Sequence, residues 1–180
     1  MRKTTLTLAT LATVAITGTA SSIIIAAIHK TDHGTTVSID PTGLADETPP
    51  DIFHAEGAQI YECKSGPDDR LMWQAREPIA TLLLDGRTVG RHFAGPTWEH
   101  NDGSTVRGKV VANVAGATGN DVPWLKLAVT LHLGSGTLSD VTTIRRINTK
   151  GGLAQGPCDS AGGFLSVPYH ADYVFLRSAG

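Results

Sequence analysis

The sequence predicts an all-β fold: one antiparallel β-sandwich or partly closed barrel of about eight or nine short strands, preceded by an N-terminal signal or anchor helix. Three observations predict it. Short apolar runs are separated by glycine-bearing turns, among them the pairs Asp85-Gly86 and Asp102-Gly103, and residues of this kind tolerate the positive φ of a two-residue hairpin turn. Leu125, Leu127, Val129, Leu131 and Leu133 alternate with Lys126, Ala128, Thr130 and His132, the period of two of a half-buried strand. Helical patterning is missing. The nearest approach, 112–117, contains Gly116 and is followed by Gly119, and the chain's 20 glycines favour turns over long helices.

At the N-terminus, Arg2 and Lys3 precede an uncharged stretch, 4–28, with small residues such as Gly18 and Ala20 around a cleavage point. This is the pattern of an export signal within residues 1–30. The same 25 residues would make about 37 Å of helix, enough for a retained anchor, although seven threonines lower their hydrophobicity. Either reading places the remainder outside the cytoplasm: periplasmic, extracellular or anchored at the outer face of the cytoplasmic membrane. Residues 31–53, with Pro41, Pro49 and Pro50, read as a flexible tether, and 54–180 as the β-rich domain.

Within that domain, strands are expected at 57–63 and 71–76, around the turn Ser65-Gly66-Pro67-Asp68-Asp69. Runs 79–84 and 87–93 flank Asp85-Gly86, and 97–101 and 104–112 flank Asp102-Gly103. The alternating strand 125–133 turns at Gly134-Ser135-Gly136 into 141–148. A last strand follows from the alternation of Tyr169, Ala171, Tyr173 and Phe175 with His170, Asp172 and Val174.

Charge narrows the partners. With Arg2, Lys3 and Lys30 assigned to the signal, 12 bases face 17 acids, a net charge of −5. An acidic domain without a basic stripe excludes nucleic acid and anionic lipid, leaving membrane contact only through an uncleaved anchor. The two cysteines, Cys63 and Cys158, both lie in the exported part and are expected to form a disulfide closing a long loop, worth about 4 kcal/mol.

Catalytic signatures fail on inspection. Gly134-Ser135-Gly136 follows a strand, but a dinucleotide loop needs a third glycine where Ser139 stands. The sequence contains no phosphate loop and no nucleophile elbow. His54-Ala55-Glu56 with Pro157-Cys158 suggests a zinc deaminase, but Ala161 occupies the partner cysteine's place. No cofactor is expected, and no residue is assigned a catalytic role. One dense segment remains, from His92 through Trp98, Glu99, His100 and Asp102 to Ser104. With Asp102-Gly103 as a two-residue turn, Trp98 faces Arg107, shares a side with His100 and turns away from Glu99, which lies beside Val106. Across the Asp85-Gly86 hairpin, His92 shares a face with Ile79 and borders a cleft. Two histidines without a third ligand make no metal signature, so no metal centre is expected at His92 and His100. Trp73 and Trp124 read as core, Tyr61 as packing against the bridge, and Arg145 and Arg146 as one solvated and one stem-buried residue.

An ordered series of motifs adds to this reading. It comprises Gly57-Ala58-Gln59-Ile60-Tyr61-Glu62-Cys63, Gly90 with His92, Gly95-Pro96-Thr97-Trp98-Glu99, and Asp102-Gly103-Ser104. It continues through Pro123-Trp124-Leu125, Arg146-Ile147-Asn148-Thr149-Lys150-Gly151-Gly152, Cys158 and Pro168-Tyr169-His170-Ala171-Asp172-Tyr173. From about residue 55 to 175 the chain resembles the family catalogued as domain of unknown function 3455. The resemblance implies an exported bacterial or fungal protein with a signal peptide and no established activity. Some relatives carry a malate dehydrogenase label, which the missing dinucleotide fingerprint argues against here. His92, Trp98, Glu99 and Asp102 fall on the family's motif and are the ligand-binding candidates, whereas His100 and His170 fall outside it. The expected function is therefore an exported ligand-binding or surface-associated module that meets a small molecule or cell-surface component. The alternative is an acid–base or hydrolytic enzyme using His92 with Glu99 or Asp102.

Overall fold

The computed structural model describes residues 50–178; the expected signal or anchor of 1–30 and the tether as far as residue 49 lie outside them. Among the described residues there are eight strands: β1 (Asp51–Ser65), β2 (Leu71–Leu84), β3 (Arg87–Phe93), β4 (Thr97–His100), β5 (Thr105–Val114), β6 (Trp124–Leu133), β7 (Val141–Gly151) and β8 (Phe164–Arg177). Each pairs antiparallel with the next in sequence, and β8 returns to β1 from Asp51↔Phe175 to Glu62↔Phe164. The sheet is thus one closed barrel rather than a two-sheet sandwich or a partly open ring. Closure follows from the length of β1 and β8, 15 and 14 residues, which lets each pair along most of its length on both sides. A closed ring leaves no unpaired edge. Among the described residues there is no helix.

Two expected boundaries move. The runs 71–76 and 79–84 form one strand, with Pro78 accommodated beside an irregularity at Ile60/Tyr61. β1 begins at Asp51, and Phe53, expected in the tether, is only 1% exposed and belongs to the core.

Registers shift as well. Leu84 pairs with Arg87 as expected, but a bulge between Leu82 and Leu83 sets His92 opposite Ala80 instead of Ile79. The turn after β4 is longer than two residues. The His100 amide donates to the Ser104 carbonyl at 2.9 Å and the Gly103 amide to the His100 carbonyl at 3.0 Å. Trp98 therefore pairs with Val106, both buried, while Arg107 stands opposite Thr97 on the outer face, so no guanidinium covers the indole.

The barrel interior is full. Trp98, Tyr169, Tyr173, Phe53 and Phe175 are each 1% exposed or less. Eight strands enclose an interior just wide enough for side chains to fill, and these rings, with Leu82, Leu127 and Ile144, form its core. Glycine makes the room. A Cβ on Gly108 would lie 3.2 Å from the Trp98 ring, and one on Gly90 would lie 2.2 Å from the Glu99 carbonyl oxygen. Arg146, in phase with buried Ile144, also points inward and is 8% exposed. Trp124 corrects the expectation of a core residue. It is in phase with Lys126 rather than with the inward Leu125 and Leu127, and stays 39% exposed. Trp73 is only half-buried. Cys63 and Cys158 are disulfide-bonded with Cα atoms 5.9 Å apart, tying the connection between β7 and β8 to the end of β1.

Candidate functional site

The segment from His92 to Ser104 forms barrel wall and turn, and the barrel separates its four candidates. His92 and Trp98, cross-strand partners, stack inside at 4.3 Å between ring centroids. Glu99 points outward, where Arg91 Nη2 donates to both carboxylate oxygens at 3.0 Å. Neither Glu99 nor Asp102 is bonded to His92, whose Nδ1–H instead donates to the Thr97 carbonyl at 2.8 Å. Burial holds the His92 imidazole neutral, down to about 3, partly opposed by the Thr97 bond and reinforced by the charge of Arg146.

Asp102 works as a latch. Its carboxylate accepts from the Ser104 amide and hydroxyl and from the Thr137 amide and hydroxyl, at 2.6 to 2.9 Å. The Ser104 hydroxyl bond above all, with the other three, holds the carboxyl well below the usual carboxylate range. His100 Nδ1 lies 2.9 Å from Asp102 Oδ2. Ser104 bonds the carboxylate and is fully buried, so these three residues do not form the relay in which an imidazole bridges hydroxyl and carboxylate.

Inside the barrel, Arg146 forms no ion pair with a carboxylate among the described residues. Its Nε donates to the Pro123 carbonyl at 3.0 Å. The Tyr169 and Tyr173 hydroxyls lie 3.3 Å apart, and burial pushes both phenols up, so they stay protonated. Trp98 Nε1 is buried without a partner.

A groove lies elsewhere among the described residues. A depression of about 690 Å³ is lined by Ala117, Thr118, Asp121, Trp124, Asn148, Thr149 and Lys150. Asp121 fixes its floor. Oδ1 accepts from the Gly151 amide at 2.6 Å, and Oδ2 from the Thr118 amide and hydroxyl at 2.9 and 2.8 Å. The Gly151 bond, foremost, holds this carboxyl below its ordinary range, so it is ionised where these donors converge. Backbone bonds from Val122 to Gly151 and from Leu153 to Asn120 knit the loop after β5 to the end of β7. The pairing of β7 with β8 shifts between Ile147 and Lys150, with Asn148 at a φ of 52°, a value asparagine tolerates. Thr149 is 3% exposed, and its hydroxyl has no partner within the protein.

Sequence reading did not gather this set, because its members come from a loop and from the end of a strand about 30 residues further on. Two signals pointed to it: the outward phase of Trp124 and the motif through Asn148-Thr149-Lys150. A family profile described as "Protein of unknown function (DUF3455)" matches residues 45–177. No curated protein and no solved structure matches the chain.

Proposed function

Because the chain belongs to the DUF3455 family, whose function is unknown, we propose that it is an exported binding module that holds a saccharide unit in the Trp124 groove. The observation that carries the reading is the half-open indole of Trp124 set beside Asn148 and Lys150, over a floor fixed by Asp121. An exposed indole gains when a flat C–H face covers it, because apolar surface leaves water. Lys150 adds a donor at the rim. The fixed floor lowers the ordering cost of binding. The size of the groove falls within the range of small-ligand sites, roughly 300–1,000 Å³. Export is supported by the basic start and apolar stretch of the N-terminus and by the Cys63–Cys158 bridge, since disulfides persist in oxidising compartments. Nothing in the geometry favours the acid–base alternative. His92 is enclosed, neutral and bonded to a backbone carbonyl.

The test is thermal unfolding of the oxidised chain against a panel of saccharides, organic acids and aromatic compounds. A saturating saccharide at 100 times its Kd should stabilise the native state by about 2.7 kcal/mol. The shift should vanish in Trp124→Ala and persist in Trp73→Phe. A shift that survives Trp124→Ala, or a panel in which no saccharide acts, rejects the proposal.

A further inference from the structure

The pairing of β1 with β8 closes the barrel, and its outer face carries an unusual square of side chains. His54 stands opposite Asp172, and Glu56 opposite His170. Alternate residues of a strand share a face, so all four project from the same side of the seam. His54 Nε2 lies 3.7 Å and His170 Nδ1 4.0 Å from the same oxygen, Glu56 Oε1. The ligand-capable atoms of His54, Glu56 and His170 all lie within 4.8 Å of one another, and the two imidazoles are stacked at 6.0 Å.

A second layer orients the first. His54 Nδ1 lies 2.9 Å from Asp172 Oδ1. A carboxylate only accepts here, so Nδ1 carries the proton and the Nε2 lone pair faces Glu56 and His170. Asp172 is held in turn, because Asn148 Nδ2 donates to its Oδ2 at 2.8 Å. A carboxylate behind an imidazole, itself held by a further hydrogen bond, is the outer shell that fixes tautomer and ring orientation in metal sites.

We propose that His54, Glu56 and His170 bind a borderline divalent transition-metal ion of the zinc class, with Asp172 and Asn148 positioning His54. Two imidazole nitrogens and one carboxylate oxygen are a three-ligand zinc set that leaves the fourth tetrahedral position open to water or a ligand. Bond lengths of 2.0–2.2 Å bring tetrahedral donors to about 3.3 Å from one another, so side chains that are exposed here need move only about 1 Å. The ion bridges the first strand to the last and so clamps the seam that closes the ring. This site shares no ligand with the groove at Trp124, although Asn148, which holds Asp172, also lines that groove.

The test is calorimetric titration of the full, disulfide-intact chain with zinc chloride after chelator treatment, with folding checked by circular dichroism. The wild-type chain should bind zinc and unfold at higher temperature with it. The double variant His54→Ala/His170→Ala should lose at least about 100-fold in affinity, and Asp172→Asn about 10- to 100-fold. Glu56→Gln removes a ligand while keeping size, and should weaken binding even if the double variant folds poorly. Trp124→Ala should bind zinc as the wild type does. Zinc affinity unchanged in Glu56→Gln and the double variant, or no zinc binding by the folded wild-type chain, overturns the proposal.

Discussion

Replacing Cys63 and Cys158 together by serine lowers the unfolding free energy by about 4 kcal/mol. The bridge spans a sequence separation of 95, and closing a loop of that size removes much of the unfolded chain's freedom. The folded state makes good use of it. Cys63 is 1% exposed, its carbonyl accepts from the Gly162 amide at 2.9 Å, and the Cys158 amide donates to Leu71 at 3.1 Å. The segment between β7 and β8 is held to the same strands by backbone bonds from the Cys63 amide to Gly163 and from the Trp73 amide to Gly156, and by a bridge from Met72 to Pro157, all of them beside the disulfide. Urea unfolding of the oxidised and serine forms checks this. The midpoint should fall, and the slope should rise as the denatured chain expands. A difference below about 1 kcal/mol would mean that the loop was already ordered without the bridge.

Acid should destabilise the fold well above the pH at which carboxylates are protonated. Unfolded, His92 binds a proton below about pH 6.5; folded, it stays neutral down to about 3. Between those values the unfolded state holds more protons, so stability rises with pH and is lost as pH falls. The slope is about 1.4 kcal/mol per pH unit, which amounts to roughly 3 kcal/mol between pH 6.5 and 4. The groups facing the ring are Trp98, Tyr173, the Thr97 carbonyl and the charge of Arg146, none of which offers a counter-charge to an imidazolium. The depressed carboxyls of Asp102, Asp121 and Asp140 act in a lower window, because their stabilisation is lost only as pH falls below the ordinary carboxylate range. Urea midpoints measured from pH 7.5 to 4 for wild type and His92→Phe separate the two. The wild-type slope should exceed that of the variant by about 1.4 kcal/mol per unit, and equal slopes would mean that His92 is protonated in the folded barrel.

Strand positions were legible because the period of two survives in the sequence: the inward Leu127 and Tyr173 and the outward Lys126 and Asp172 all follow it. Register was less so. The bulge at Leu82/Leu83 and the long turn after His100 depend on how a twisted sheet closes on itself, and each moves pairing by one residue. The runs 71–76 and 79–84 join into one strand, in which Pro78 stands opposite Gln59. Closure itself depends on β1 pairing with β8, more than 100 residues away. That distance also hid the square formed by His54, Glu56, His170 and Asp172. The segment richest in chemistry by sequence, from His92 to Ser104, turned out to be built into the fold. The imidazole and indole fill the barrel, and the carboxylate of Asp102 is taken up by four donors.

The most direct test of a ligand held outside a filled barrel is amide chemical-shift mapping with the saccharide that gives the largest thermal shift. Perturbations confined to residues 117–124 and 148–151, saturating with one affinity, are the predicted result. Perturbations centred on His92, Trp98, Tyr169 and Tyr173, with the groove unmoved, would place the ligand inside the barrel and contradict the account.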